Sequence, residues 1–229
     1  MILPLGIKDS FVSNLIVEDR WKLMLAGLDV TLEVSLLSIL LGTLAGALLC
    51  FMRMSRNRVL CGTAKFYIEL MRSLPLLLLL LVLFYLVFAS SGLGKIQVAI
   101  VCFTLYFGAY ISEIFRSGIE GVDKGQWEAG AAMGMGKGLV LRKIILPQAL
   151  YRVLPVYKNQ MTALIKATSI VGYVAIMDIT KTSDLIRSRT FDAFFPLLLT
   201  AIVYLLLSWL FGLAADALER RLAPKKREL

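Results

Sequence analysis

Apolar residues run along the chain in five long stretches: Ala26–Met52, Phe66–Phe88, Ile96–Ser117, Pro155–Met177 and Phe195–Ala217. A helix needs about 20 apolar residues to cross a bilayer core, so the pattern predicts five transmembrane helices. The second stretch carries Pro75 at the head of the run LPLLLLLLVLF. The first contains GTLAG at Gly42–Gly46, a spacing that lets two helices approach closely and is read as packing.

The polar segments set an orientation. Arg53, Arg56, Arg58 and Lys65 follow the first stretch without an acid among them. Lys124, Lys137, Arg142, Lys143, Arg152 and Lys158 follow the third, and Arg220, Arg221, Lys225, Lys226 and Arg227 close the chain. On the alternate side, Lys95, Lys181, Arg187 and Arg189 are offset by Asp178, Asp184 and Asp192. The positive-inside rule then predicts five spans with the N-terminus outside and the C-terminus inside. Residues 1–25 lack the features of a signal peptide and read as an interfacial amphipathic segment, with Trp21 at headgroup depth. Residues 26–219 form a single transmembrane domain with a large cytoplasmic loop at about 120–148, and 220–229 a basic tail. An odd span count does not divide into two equal inverted halves, so a pathway forms more easily between two copies or two related chains.

Composition agrees with the pattern and narrows the chemistry. Of the 229 residues, 59% are hydrophobic, above the soluble norm, and mean hydropathy is +0.79. The net charge of +9 points to lipid headgroups and cytosolic faces; no basic stripe with interleaved aromatics suggests nucleic acid. Histidine is absent, and Cys50, Cys61 and Cys102 have no metal-ligand spacing. No catalytic or metal-ligating residue is expected, and the cysteines read as structural thiols.

The segment Glu128–Gln148, EAGAAMGMGKGLVLRKIILPQ, stands apart as a small-residue, basic stretch between greasy runs. A phosphate loop is excluded, because Ala131 and Gly138 stand where GxxxxGK[ST] needs glycine and a hydroxyl. GxGxxG fails at Leu139. A plain connecting loop would not need Trp127, Ala129, Ala132, Met133 and Gly136 at helical spacing, nor LVLRKIILP as a second helical segment with Pro147 opening the next element. A docking element does: small side chains admit a partner's groove, and Glu128 suits the first turn of a helix. Attachment through IILPQ would pass the partner's movement to the fourth span.

These residues resemble the EAA loop of ABC-importer permeases, EAA, three residues, G, nine residues, I-x-LP. Glu128, Ala129, Gly134, Ile144, Leu146 and Pro147 match, and Gly130 replaces the second alanine. The flanking text YIELMRSLPLL, GAYISEIFRSGIEGVDKGQWEAG, ILPQALYRVLPVYKNQ and SDLIRSRTF is similar to polar amino-acid permeases, and the resemblance spans about Gly27 to Leu222. It implies an all-α, type I importer permease fold in a bacterial cytoplasmic membrane. It also implies a second permease subunit, identical or homologous, and an extracytoplasmic amino-acid-binding protein. Two ATP-binding subunits would dock on the EAA loops; ATP and Mg would be used by them, with no cofactor in this chain. In that family the positions of Leu79, Tyr106 and Gln160 contribute polar contacts, and an acid commonly stands at Ala167. Here only Gln160 is polar in the expected way, an amide suited to an uncharged polar substrate. Gln160, Lys166, Thr168, Ser169, Tyr106 and Leu79 are therefore the candidate pathway residues.

Charges within the apolar stretches need an account. Glu69 with Arg72, and Glu113 with Arg116, are three apart on a helix and face each other, either as structural pairs or in a gate or docking role. Lys166, near mid-span, must meet water, a substrate carboxylate or an acid across a subunit interface. Asp178–Asp192 reads either as a short surface helix touching a binding protein or as a solvated loop. The resulting expectation is an ATP-driven amino-acid permease subunit. A partner-independent carrier, a membrane enzyme and a membrane scaffold are the competing classes.

Overall fold

The computed structural model describes residues 6–222, and every regular element among them is helical. In chain order these are α1 (Ile7–Phe11), α2 (Arg20–Arg53), α3 (Arg58–Ser73), α4 (Leu76–Val82), α5 (Lys95–Glu120), α6 (Lys124–Ala132), α7 (Lys137–Val140), α8 (Leu146–Ala167), α9 (Ile179–Thr190) and α10 (Phe194–Leu222). Three helices are each long and apolar enough to cross a membrane: Lys8–Arg53, Lys95–Glu120 and Phe194–Ala217. Two broken pairs, Arg58–Ser73 with Leu76–Val87 and Lys137–Val174 with Ile179–Thr190, bring the number to five if each is one span.

The breaks differ from the expected boundaries for local reasons. Leu74 is extended, as the residue before a proline tends to be, and the second apolar stretch divides there into α3 and α4. The fourth begins well before Pro155, which lies inside α8. A π-turn at Leu141–Ile145 joins α7 to α8. It lies immediately ahead of Pro147, whose ring would crowd the carbonyl four residues earlier and which has no N–H to give. The first long helix starts at Arg20, six residues ahead of the expected Ala26. The tail beyond residue 222 lies outside the described residues.

The chain divides into two compact units. The first comprises the described residues of Met1–Ser38, Pro75–Phe103 and Ala163–Trp209. At its centre Met24, Ile179 and Ile186 are buried against Leu15, Leu28, Leu199 and Val203. Helix α9 is a packed element here, more than a surface helix or a loop: Ile179, Thr182, Ser183 and Ile186 are all buried. Asp178 caps it, accepting from the Thr180 and Lys181 N–H groups. It packs on α2 at Gly27, where a Cβ would stand 2.6 Å from Thr182 Oγ1 and 2.9 Å from the Asp178 carbonyl oxygen. A second tie joins α1's neighbourhood to the α9–α10 turn. Asn14, 1% exposed, donates to Asp192 Oδ2 at 2.8 Å and accepts from Thr190 Oγ1 at 2.9 Å.

The second unit comprises Ile39–Leu74, Thr104–Thr162 and the described residues of Leu210–Leu229. Its α2 and α5 segments meet through glycine. A Cβ on Gly42 would lie 2.8 Å from Phe107 Cδ1, and one on Gly46 would lie 2.7 Å from Ile111 Cβ. Gly108 faces back toward Ala45. The GTLAG pattern is thus the seam of a close helix crossing. Val153 of α8 sits over Gly118 of α5, and Tyr157 Oη is 2.7 Å from Thr43 Oγ1.

Candidate coupling loop and translocation residues

The residues singled out in Glu128–Gln148 form a helical hairpin within the second unit. Asp123 caps α6 by accepting from the Gly125 N–H. The helix ends in a Schellman turn: Gly134 N–H bonds the Ala131 carbonyl at 2.9 Å, and Met135 N–H bonds the Gly130 carbonyl at 3.0 Å. Gly134 has φ +76 with open space around it, so its role is backbone conformation and not clearance. The chain then turns into α7 and the π-turn, whose Val140, Ile144 and Ile145 pack beneath α6 with Trp127 and Met135.

The face that helical spacing groups is split in the structure, with Trp127 turned inward and Ala129, Ala132 and Met133 outward. Trp127 is half-buried and Gly130 fully buried, while Glu128, Ala129, Ala131, Ala132 and Met133 are all exposed. Met133 is 78% exposed. The small apolar residues are therefore displayed outward, with Glu128 beside them, and the core of the hairpin is built from Trp127, Gly130 and the branched side chains of the second arm. Ile144 and Leu146 are half-buried and Pro147 is exposed, so the IILP half of the motif anchors the hairpin at the root of α8.

The charged candidates are only partly paired as expected. Arg116 grips Glu113 at 2.7 Å and also pairs with Glu120, so the α5 pair extends to a triad. Glu69 and Arg72 do not meet. Glu69 lies 3.8 Å from Lys65, one turn back, and the Arg72 guanidinium sits 5.3 Å from the Tyr110 ring centroid. An aromatic face has claimed the cation. Lys158, counted with the loop charges on sequence grounds, instead pairs with Asp216 of α10.

The pathway candidates fall in different surroundings. In the first unit, Leu79 and Thr168 are buried, and Thr168 donates to the Ile165 carbonyl at 2.7 Å. Lys166 is exposed on this chain and makes no ion pair among the described residues. Ser169 lines a polar cavity with Tyr173, Thr180, Lys181 and Asp184, a grouping that sequence spacing alone does not disclose. In the second unit, Gln160 is half-buried and Tyr106 packs against Tyr110 with ring centroids 4.8 Å apart.

Residues 38–226 match the model of the family described as "Binding-protein-dependent transport system inner membrane component". The chain belongs to this family. It is 35% identical over 201 residues to the "Putative glutamine transport system permease protein GlnP" of Rickettsia bellii (strain RML369-C), covering 86% of this chain and 91% of that relative. It is 32% identical over 211 residues to the "L-cystine transport system permease protein TcyB" of Bacillus subtilis (strain 168), covering 91% and 90%. Among solved structures, an amino acid ABC transporter with histidines superposes with a TM-score of 0.82 at 31% identity, covering 90% of this chain and 97% of that one. The MetNI methionine ABC transporter shares the fold, with a TM-score of 0.74 at 22% identity, covering 88% and 97%.

This is therefore an all-helical, membrane-spanning ABC importer permease of the type I fold, and the hairpin lies inside the segment that the family model covers. As the membrane component of such a system, the permease works with ATP-binding subunits and a substrate-binding protein.

Proposed function

We propose that this permease carries a polar amino acid inward across the cytoplasmic membrane, driven by ATP hydrolysis in partner subunits docked on α6. The observation that carries the docking half is the outward display of Ala129, Ala131, Ala132 and Met133 on a hairpin whose other face packs on Val140, Ile144 and Ile145. A free face made mostly of alanine lets a partner's groove approach the backbone closely, with Met133 as a large apolar contact at its end. Gly134 and Pro147 terminate and anchor the hairpin, so force applied to α6 reaches α8 through a short rigid path. The basic residues beside it suit a cytosolic placement, with five spans, the N-terminus outside and the C-terminus inside.

Two ATP-binding subunits, each using ATP and Mg, dock on two such hairpins, one from this chain and one from a second permease subunit. An extracytoplasmic binding protein delivers the cargo. The amino-acid assignment is supported by relatives named for glutamine, cystine and arginine transport. On the chain itself, Gln160 and Ser169 offer neutral hydrogen-bonding groups, each within its own unit, and the exposed Lys166 offers an ammonium to a substrate carboxylate or to an acid of the second permease.

The test is uptake of labelled amino acids into proteoliposomes holding the permease, its ATP-binding subunits and an externally added binding protein. Accumulation that requires internal ATP and survives dissipation of ion gradients is the expected result. Accumulation driven by an ion gradient without ATP-binding subunits would identify a secondary carrier instead.

A further inference from the structure

Within the second unit, the ends of α2, α3 and α5 enclose a charged cavity of about 290 Å³. Four cations line it, Arg53, Lys65, Arg72 and Arg116, against two acids, Glu69 and Glu113. The acids are already engaged. Lys65 neutralises Glu69 at 3.8 Å, and Arg116 holds Glu113 at 2.7 Å with Glu120 on its other side. With Glu120 included, four cations face three acids, and the Arg53 and Arg72 guanidiniums are the two cations with no carboxylate at ion-pair distance among the described residues. Arg53 Nη1 donates to the Cys61 thiol at 3.5 Å, a weak acceptor, and Arg72 lies over the Tyr110 ring. Both stand within electrostatic reach of Glu113, whose close partner is Arg116. A guanidinium presents forked N–H donors that match a tetrahedral oxyanion, and neither a thiol nor a ring satisfies that fork.

The same α3 that supplies Lys65 and Arg72 carries a contrasting face. Val59, Phe66 and Leu70 are 71%, 69% and 40% exposed, at intervals of about two turns and one turn along the helix. An apolar stripe on a helix that also carries exposed basic side chains suits a lipid headgroup boundary. We propose that this cavity binds a phosphate oxyanion through Arg53 and Arg72, presented by an anionic phospholipid headgroup or free in solution. Glu69 and Glu113 stay with Lys65 and Arg116, which keeps the acids from repelling the anion. The site is independent of which solute the permease carries.

The experiment uses the assembled transporter in nanodiscs of mixed phosphatidylglycerol and phosphatidylcholine, with bound lipid counted by native mass spectrometry. A parallel arm measures thermal stability in phosphatidylcholine alone, with inorganic phosphate titrated against chloride at matched ionic strength. The comparison proteins are Arg53→Gln/Arg72→Gln, Arg72→Gln alone, and Arg142→Gln as an exposed basic control. A lipid source predicts enrichment of phosphatidylglycerol on wild type that falls about tenfold in the double variant and holds in Arg142→Gln. A free-phosphate source predicts no lipid enrichment, and a phosphate-dependent rise in wild-type stability that the double variant loses. Should the double variant fail to assemble, Arg72→Gln, whose side chain is exposed, reports the same loss in part. Equal lipid retention and equal phosphate response in wild type and the arginine variants overturn the proposal. So does a loss of the same size in Arg142→Gln.

Discussion

A Cβ placed on Gly130 would stand 2.6 Å from Val140 Cγ2 and 3.1 Å from Val140 Cγ1, so these two positions share one volume. Gly130 is where the chain departs from the EAA pattern, and the structure gives a reason. The second arm of the hairpin brings a branched side chain into the space that alanine would need.

Gly130→Ala is accordingly expected to destabilise the hairpin by about 1–3 kcal/mol, the cost of overpacking a filled site. Val140→Ala opens a cavity and is destabilising by itself, but the double variant recovers part of the loss. A double-mutant cycle read from thermal unfolding of the solubilised permease checks this, and additive effects of the two changes would contradict it.

Gly134 tests a different property of the same turn. Nothing lies within 4 Å of its position, so size is tolerated there, but its φ of +76 is not. Gly134→Ala should cost about 1 kcal/mol and Gly134→Asn less, because asparagine enters the left-handed region more readily. Equal costs for both in the same unfolding measurement would mean that backbone conformation is not what the glycine provides.

At the α2–α5 crossing the limit is space. Gly46→Val directs methyl groups toward Ile111 Cβ and the Gly108 carbonyl oxygen, which would lie 2.7 and 3.0 Å from even a first Cβ. Failure of membrane assembly, seen as loss of monodisperse protein after solubilisation, is the expected outcome. Gly62→Ala, with nothing within 4 Å, is the control and should behave as wild type.

Asp192 provides a pH signature. Burial pushes its carboxyl up, but donation from the Phe195 N–H, Asn14, Ser10 and the Phe194 N–H outweighs this and holds it below the usual carboxylate range. A group depressed in the folded state stabilises above its unfolded pKa of about 3.9, and that stability is lost as pH falls through the folded value. Stability from this group should thus be flat from pH 7 to about 5 and decline below about 4. Asp192→Ala should lose about 1 kcal/mol at pH 7, as for a lost helix cap, and should flatten the acid side of the profile. An unchanged acid limb would remove Asp192 as its source.

Sequence carried the architecture where one physical rule dominated. The long apolar helices, the GTLAG seam and a hairpin over Glu128–Gln148 lie where the pattern put them, while the second and fourth apolar runs are broken helices. Periodicity grouped Trp127 with the small residues of α6, however, because a helix of alanines has little hydrophobic contrast between its faces. Only the opposing arm decides that Trp127 and Gly130 turn inward. The Glu69–Arg72 pairing failed for a related reason: i,i+3 spacing permits contact, but Tyr110, distant in sequence, offered Arg72 another partner. The burial of Asn14 against Asp192 and Thr190 depends on contacts more than 170 residues apart in the chain, beyond the reach of local pattern. Of the pathway candidates, sequence picked out Ser169 but had no means of setting Lys181 and Asp184 around the same cavity.

The central claim is that the outward face of α6 receives an ATP-binding subunit. Its most direct measurement is co-purification of that subunit with the tagged permease, comparing wild type with Glu128→Lys, Ala132→Trp and Met133→Glu. All three positions are exposed, so the variants should insert and fold as wild type does. The account predicts that binding of the ATP-binding subunit weakens about tenfold or more in each, with ATP-driven uptake lost in step. An ATP-binding subunit that remains fully bound to all three variants would contradict it.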